Sequence, residues 1–133
     1  MDSSIFYRQY VSLHGNHLFM PHLQLFKSEE LQVLLSQRTG ETKLGETVNL
    51  AMGNNWDAAI QSFEGKFVII GLPEDIGVRA NGGIGGAQTV WLPFLKSFIN
   101  IQETKQLGGN DFLILGAVNF DDWLGICEDA SIE

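Results

Sequence analysis

The sequence holds three histidines, and they lie close together as His14-x2-His17-x4-His22. Imidazoles at short spacing bind transition metals when a thiolate or carboxylate completes the set. Here the neighbours are Gly15, Pro21 and aromatic residues, with no Cys or acid at ligand spacing, so the trio reads as loop or surface histidines. Cys127 is the single cysteine. It cannot form an intrachain disulfide, in keeping with a reducing compartment, and no His lies near it in sequence to activate it as a nucleophile. Asp121-Asp122 follows an apolar run, where a carboxylate pair could hold a metal or act as a base. The same pair could cap a helix, with Asp122 ahead of Trp123 and Leu124; without partner ligands, the cap is the preferred reading.

The glycine-rich stretch Leu72-Pro73-Glu74-Asp75-Ile76-Gly77-Val78-Arg79-Ala80-Asn81-Gly82-Gly83-Ile84-Gly85-Gly86-Ala87 invites a phosphate-binding reading. Its details oppose one. A dinucleotide fingerprint using Gly83 and Gly85 needs glycine where Gln88 stands, and a Walker loop needs a Lys opening the following helix. The stretch is instead expected to be a long loop that uses glycine for positive φ angles and close backbone packing.

These residues must be positioned by the elements around them. Ser28 is expected to cap a helix over 28–37, with Glu29 and Glu30 in its first turn. Residues 38–46 read as a loop. Trp56, Ala59, Ile60 and Phe63 form one apolar face of a short helix with an Asn cap, ending at Gly65. The unbroken apolar run Phe67 to Leu72 reads as a strand buried on both faces and central in a parallel sheet. Helical spacing recurs over 87–101, where Pro93 predicts a kink or a fresh start, and Trp91, Phe94, Leu95 and Phe98 form a core-facing stripe. A second apolar run, Phe112 to Val118, completes a βαβ unit. The chain thus divides into a helical and loop extension over 1–65 and a strand-loop-helix-strand unit over 66–133.

With 16 acids, 8 bases and a formal net charge of −8, the chain would be repelled by nucleic acid and by anionic lipid, so neither is expected as a partner. No apolar run reaches the roughly 18 to 20 residues of a membrane span, and the start Met1-Asp2-Ser3-Ser4 is unlike a secretory signal, so a cytoplasmic protein is expected. A hydrophobic fraction of 44% suffices for a packed core. A single βαβ unit leaves strand edges open, however, and normally belongs to a larger sheet.

The segment Phe67 to Ala87, above all Gly71-Leu72-Pro73-Glu74-Asp75-Ile76-Gly77 and Arg79-Ala80-Asn81-Gly82-Gly83, resembles the start of the ureohydrolase family of arginase, agmatinase and formimidoylglutamase. It is most similar to the formimidoylglutamase-like branch. Arg38 to Gly45 and Leu115 to Asp122 are also similar to that branch, so the likeness spans about residues 38–122. The resemblance implies a three-layer α/β/α arginase-like fold, of which this chain would hold the first βαβ unit and an N-terminal helical extension. It implies a homo-oligomeric hydrolase of linear C–N bonds in amidine or guanidine substrates, with a hydroxide bridging two manganese ions. The family's metal motifs, Gly-Gly-x-His, Asp-x-His-x-Asp and Asp-x-Asp, are absent. Gly82-Gly83 and Gly108-Gly109 are not followed by His, and no His lies beyond His22. No catalytic or metal-binding residue is therefore carried over, and the chain by itself is expected to be inactive. Arg79, Asn81, Gly82 and Gly83 are the candidates for a substrate rim or a subunit interface, with loop-structuring hydrogen bonds as the alternative for Arg79 and Asn81. The competing expectation for the whole is a non-catalytic α/β module for oligomerisation or ligand binding.

Overall fold

The computed structural model describes residues 22–51, 53 and 55–121. His14, His17, Cys127 and the proposed cap Asp122 lie outside the described residues. In chain order the elements are β1 (Leu23–Leu25), α1 (Ser28–Leu34), α2 (Leu44–Thr47), β2 (Asn49–Leu50), α3 (Trp56–Ser62), β3 (Phe67–Gly71), α4 (Ile76–Ala80), α5 (Trp91–Ile99) and β4 (Phe112–Val118). Short 3-10 turns at Ala87–Thr89 and Gly109–Asp111 precede α5 and β4. The class is mixed α/β, and no helix among the described residues is long and apolar enough to cross a membrane.

β4 is the centre of the sheet. β3 pairs with it in parallel from Phe67↔Phe112 to Gly71↔Ala117. The opposite edge is shared end to end: β2 pairs in parallel at Leu113 and Ile114, and β1 pairs antiparallel from Leu23↔Val118 to Leu25↔Gly116. The register shifts between Ile69 and Ile70, leaving Leu115 as the extra residue of a bulge. Gly116 then takes φ +142°, and a Cβ there would collide with the Gln24 carbonyl of β1, so both backbone angle and strand spacing demand glycine.

Helices cover both faces of β4. Ile114 packs with Phe26, Leu31, Leu95 and Ile99, the last two from α5. Leu113 and Leu115 point the other way and pack with Ala51 and, from α3, Trp56, Ala59 and Ile60. Burial on both faces explains why β4 is an unbroken apolar run. β3 looks alike in sequence but differs in place. Phe67 is 50% exposed and Val68 42%, and β4 is the only strand paired with β3 among the described residues. The expectation that β3 is central is thus corrected: its apolar side chains record a face that these residues leave largely open.

Tertiary contacts also reset the helix ends. Lys27, not Ser28, is the N-cap of α1, and its N–H donates to Glu30 Oε2 at 2.8 Å. The helix stops at Leu34 because Asn100, the C-cap of α5, captures its end: Asn100 Nδ2 donates to the Leu34 carbonyl at 2.9 Å and Asn100 Oδ1 accepts from the Ser36 N–H at 2.8 Å. The buried Lys43 ammonium joins this knot, donating to Asn100 Oδ1 and the Ser36 carbonyl. The segment read as a loop over 38–46 contains the start of α2, where the Lys43 N–H donates to Glu46 Oε1. Asn55 does cap α3, its side chain accepting from the Ala58 N–H, and α3 ends at Ser62, a little before the expected Gly65. Pro93 falls in the first turn of α5, where no intrahelical N–H bond is lost, so it marks a start. Of the expected α5 stripe, Leu95 is fully buried and Trp91 and Phe98 partly so, whereas Phe94 is 42% exposed.

Two carboxylates hold the turn before β4. Glu103 accepts from the Thr47 hydroxyl and from the Gly109 N–H, and these bonds keep its carboxyl below the usual range. Asp111 accepts from the Gly108 N–H and pairs with Lys66 at 3.0 Å, and is lowered likewise. Groups lowered by folding contribute stability above their unfolded values and lose it as pH falls through the folded ones. Thermal unfolding followed against pH is expected to show stability dropping below about pH 4, with a shallower acid limb in Glu103→Gln; an unchanged limb would refute the role of this carboxylate. In the core, Leu95→Ala is expected to cost about 2–5 kcal/mol by denaturant titration.

Candidate functional site

The segment between β3 and α5 is ordered from within. Asp75 has a fully buried carboxylate, and its side chain turns away from the N–H groups of α4, which it precedes. Oδ1 accepts from Arg79 Nε at 2.8 Å, and Oδ2 accepts from the Gly86 N–H at 2.7 Å. The carboxylate therefore ties the start of the segment to its end. Gly85 crosses directly over the pair: a Cβ there would stand 2.5 Å from Asp75 Oδ2 and 2.9 Å from Arg79 Nε. The neighbouring Glu74 carboxylate takes the helix-start role instead, accepting from the Ile76 N–H at 2.7 Å.

The helix α4 inside this segment corrects the reading of one long loop. Its end explains the Asn-Gly-Gly sequence. The Gly83 N–H donates to the Val78 carbonyl and the Gly82 N–H to the Arg79 carbonyl, each at 2.9 Å, while Gly82 takes φ +72°. This is a Schellman cap, in which a left-handed residue closes the last turn. Asn81 Nδ2 donates to the Gly77 carbonyl at 2.9 Å. Each of the four candidate rim residues thus has a partner inside the segment: Arg79 in the clamp, and Asn81, Gly82 and Gly83 in the helix terminator.

Among the described residues, cavities lie at both ends of β4. One of about 660 Å³ lies near the start of β4, lined in part by Asn49, Asn55, Ser62 and Asp111. Its polar groups are committed: Asn49 donates to the Asn110 and Phe112 carbonyls, Asn55 caps α3, Ser62 donates to the Ala58 carbonyl, and Asp111 holds the turn. The other, of about 450 Å³, lies at the carboxyl ends of the parallel strands β3 and β4, where open α/β sheets place their ligands. Pro73 follows β3, Asn119, Phe120 and Asp121 follow β4, and Gln88, Thr89, Trp91 and Leu92 come from the start of the α5 region. None of Arg79, Asn81, Gly82 and Gly83 lines it.

The polar groups of this cleft differ in how they are engaged. Asn119 and Asp121 lock each other: Asn119 Nδ2 donates to Asp121 Oδ2 at 3.0 Å, and the Asp121 N–H donates to Asn119 Oδ1 at 2.7 Å. The Asn119 N–H donates to the His22 carbonyl at 2.7 Å, so β1 brings one of the three histidines beside this strand end. The Thr89 hydroxyl donates to the Gly86 carbonyl. Gln88 is the exception. Its Oε1 is buried and accepts no hydrogen bond among the described residues, an arrangement that costs about 1–3 kcal/mol unless another donor arrives. Sequence reasoning passed over both Asp75 and Gln88. The Asp75–Arg79 pair had a signal, since opposite charges at i and i+4 meet on one helix face; Gln88 had none.

Asp75→Ala is expected to free Gly86 and loosen the whole segment. Amide exchange at Gly86 should rise about tenfold or more, with preferential proteolysis between Gly82 and Gly86, while β4 amides stay protected; unchanged exchange at Gly86 would refute the clamp.

Comparison with protein-family models, with curated proteins and with solved structures finds no match to this chain.

Proposed function

We propose that this chain is the N-terminal part of a ureohydrolase-like enzyme that hydrolyses linear C–N bonds of amidine or guanidine substrates, formimidoylglutamate or arginine in type. One observation supports the reading most. Of the residues that carry the sequence resemblance, Pro73 from the segment Phe67 to Ala87 and Ala117 to Asp121 from the segment Leu115 to Asp122 line one cleft, at the carboxyl ends of two parallel strands. The Asp75 clamp and the Gly82 cap give those residues a physical task, which is to hold the segment compactly beside the cleft.

Among the described residues no three His, Cys, Asp or Glu are grouped to share a metal ion, and Asp121 is the only acid lining the cleft. No catalytic step is therefore assigned to these residues. Their contribution would be to shape one wall of a substrate site and to carry β4, on which further elements build.

A second reading rests on the open side of β3. Phe67, Val68, Ile70 and Leu72 are all substantially exposed, and an apolar strand edge is a pairing surface. A small oligomerisation or ligand-binding module would use that surface directly.

The test is to express the chain alone and joined to the sequence encoded downstream of it. The joined protein is expected to release ammonia, urea or formamide from an amidine or guanidine substrate in a manganese-dependent way, and the chain alone to release none. A joined protein without manganese-dependent hydrolysis would overturn the enzyme reading. If the chain alone forms a discrete, folded oligomer by light scattering, and Val68→Lys makes it monomeric, the module reading gains support.

A further inference from the structure

We propose that Asn81 is a site of covalent self-modification, in which its side-chain amide is lost as ammonia through attack by the Gly82 backbone nitrogen, and that the fold sets the rate. The proposal stands on the Asp75 clamp and the helix terminator and does not depend on the ureohydrolase-like reading. The Gly82 nitrogen forms a bond to Asn81 Cγ, the Cγ–Nδ2 bond breaks, and the Gly82 amide proton leaves with the ammonia, giving a five-membered imide. Water then opens the ring at either carbonyl, to an aspartyl or an isoaspartyl residue. The net change is one water consumed and one ammonia released. Asn81-Gly82 is the one Asn-Gly pair in the chain. A following glycine has no Cβ to hinder its nitrogen, and both residues are exposed to the water that the reaction consumes.

The folded segment withholds both reacting groups. The Gly82 N–H donates to the Arg79 carbonyl at 2.9 Å, and Asn81 Nδ2 donates to the Gly77 carbonyl at 2.9 Å. Asn81 has ψ 14°, which turns the Gly82 nitrogen away from Cβ, whereas ring closure brings that nitrogen to the Cβ side. The reaction therefore proceeds from molecules in which the terminator has opened, and its rate follows their population. Asp75 restrains that opening, because it holds Arg79 on one side of Asn81 and Gly86 on the other. The product cannot rebuild the terminator. A carboxylate at position 81 offers the Gly77 carbonyl no N–H and places a negative charge at the C-terminal end of α4, against its dipole. The isoaspartyl form also adds a methylene to the backbone, which displaces Gly82 and Gly83 from the Arg79 and Val78 carbonyls. Loss of the amide is thus a one-way loosening of the segment.

The test ages the whole 133-residue chain at neutral pH and follows residue 81 by peptide mapping, with a fragmentation that separates aspartyl from isoaspartyl. Conversion is expected at Asn81 ahead of every other Asn, to both products, and about tenfold or more slowly in the folded chain than in urea. Two variants open the clamp from opposite sides: Asp75→Ala removes the carboxylate, and Gly85→Ala brings a Cβ to 2.5 Å from Asp75 Oδ2. Each is expected to raise the rate several-fold toward the urea value while β4 amides stay protected from exchange. Asn81→Asp, which installs the aspartyl product directly, is expected to raise amide exchange at Gly83 about tenfold. No conversion at Asn81 in the folded chain, conversion led by another Asn, a purely aspartyl product, or equal rates folded and in urea would overturn the proposal. So would clamp variants that keep β4 protected and gain no rate, or unchanged Gly83 exchange in Asn81→Asp. If a clamp variant fails to fold, the ratio of folded to urea rates in the unaltered chain decides the matter independently.

Discussion

β4 must satisfy its backbone along both edges and pack its side chains on both faces, and the other elements are arranged by that demand. A buried N–H or C=O without a partner is costly, so the edges are filled by whatever extended backbone the chain can bring there. β3 supplies one edge along most of its length, while β1 and β2 divide the other. The faces are filled by α1 and α5 on the Ile114 side and by α3 on the Leu113 and Leu115 side. An aromatic row strengthens the first of these: Trp91, Phe94 and Phe98 stack along α5, and Phe98 meets Phe112 edge-on at 4.9 Å.

The central strand also sets where chemistry can occur. Its bulge at Leu115 and the close approach of Gln24 at Gly116 fix how its last residues leave the sheet. Asn119 and Asp121 then lock into a short turn, and the cleft opens between that turn and the start of α5. The Asp75 clamp acts on the other wall. By spending its carboxylate on Arg79 and Gly86, it keeps a glycine-rich segment compact beside the cleft. A glycine-rich loop that looks suited to phosphate is here organised around an acid, and among the described residues no basic side chain lines the neighbouring cleft.

The contrast between β3 and β4 bears on function as much as on folding. Both are branched, unbroken apolar runs, yet only β4 is enclosed. An apolar strand whose outer edge has no partner among the described residues is suited to receive further backbone. That need is shared by the two functional readings, one in which later sequence extends the sheet and one in which another molecule does.

The sequence by itself determined the elements whose signals are local. The apolar runs of β3 and β4, the apolar faces of α3 and α5 and the Asn55 cap follow from side-chain periodicity and turn chemistry within a few residues, whereas the choice between a kink and a fresh start at Pro93 was left open. Arg79, Asn81, Gly82 and Gly83 stood out in sequence as well, but their task is to clamp and end a five-residue helix, and α4 was hidden among its own glycines. Only the tertiary structure decided the rest. β1 and β2 have 3 and 2 residues and carry no periodic signal of their own; they are strands because β4 offers them an edge. The end of α1 is set by Asn100, far along the chain, and the burial of Asp75 by the approach of Gly86. Whether an apolar run is enclosed, and whether an amide is left without a partner, depends on which distant groups arrive beside it, and residue type and short-range spacing hold no record of that.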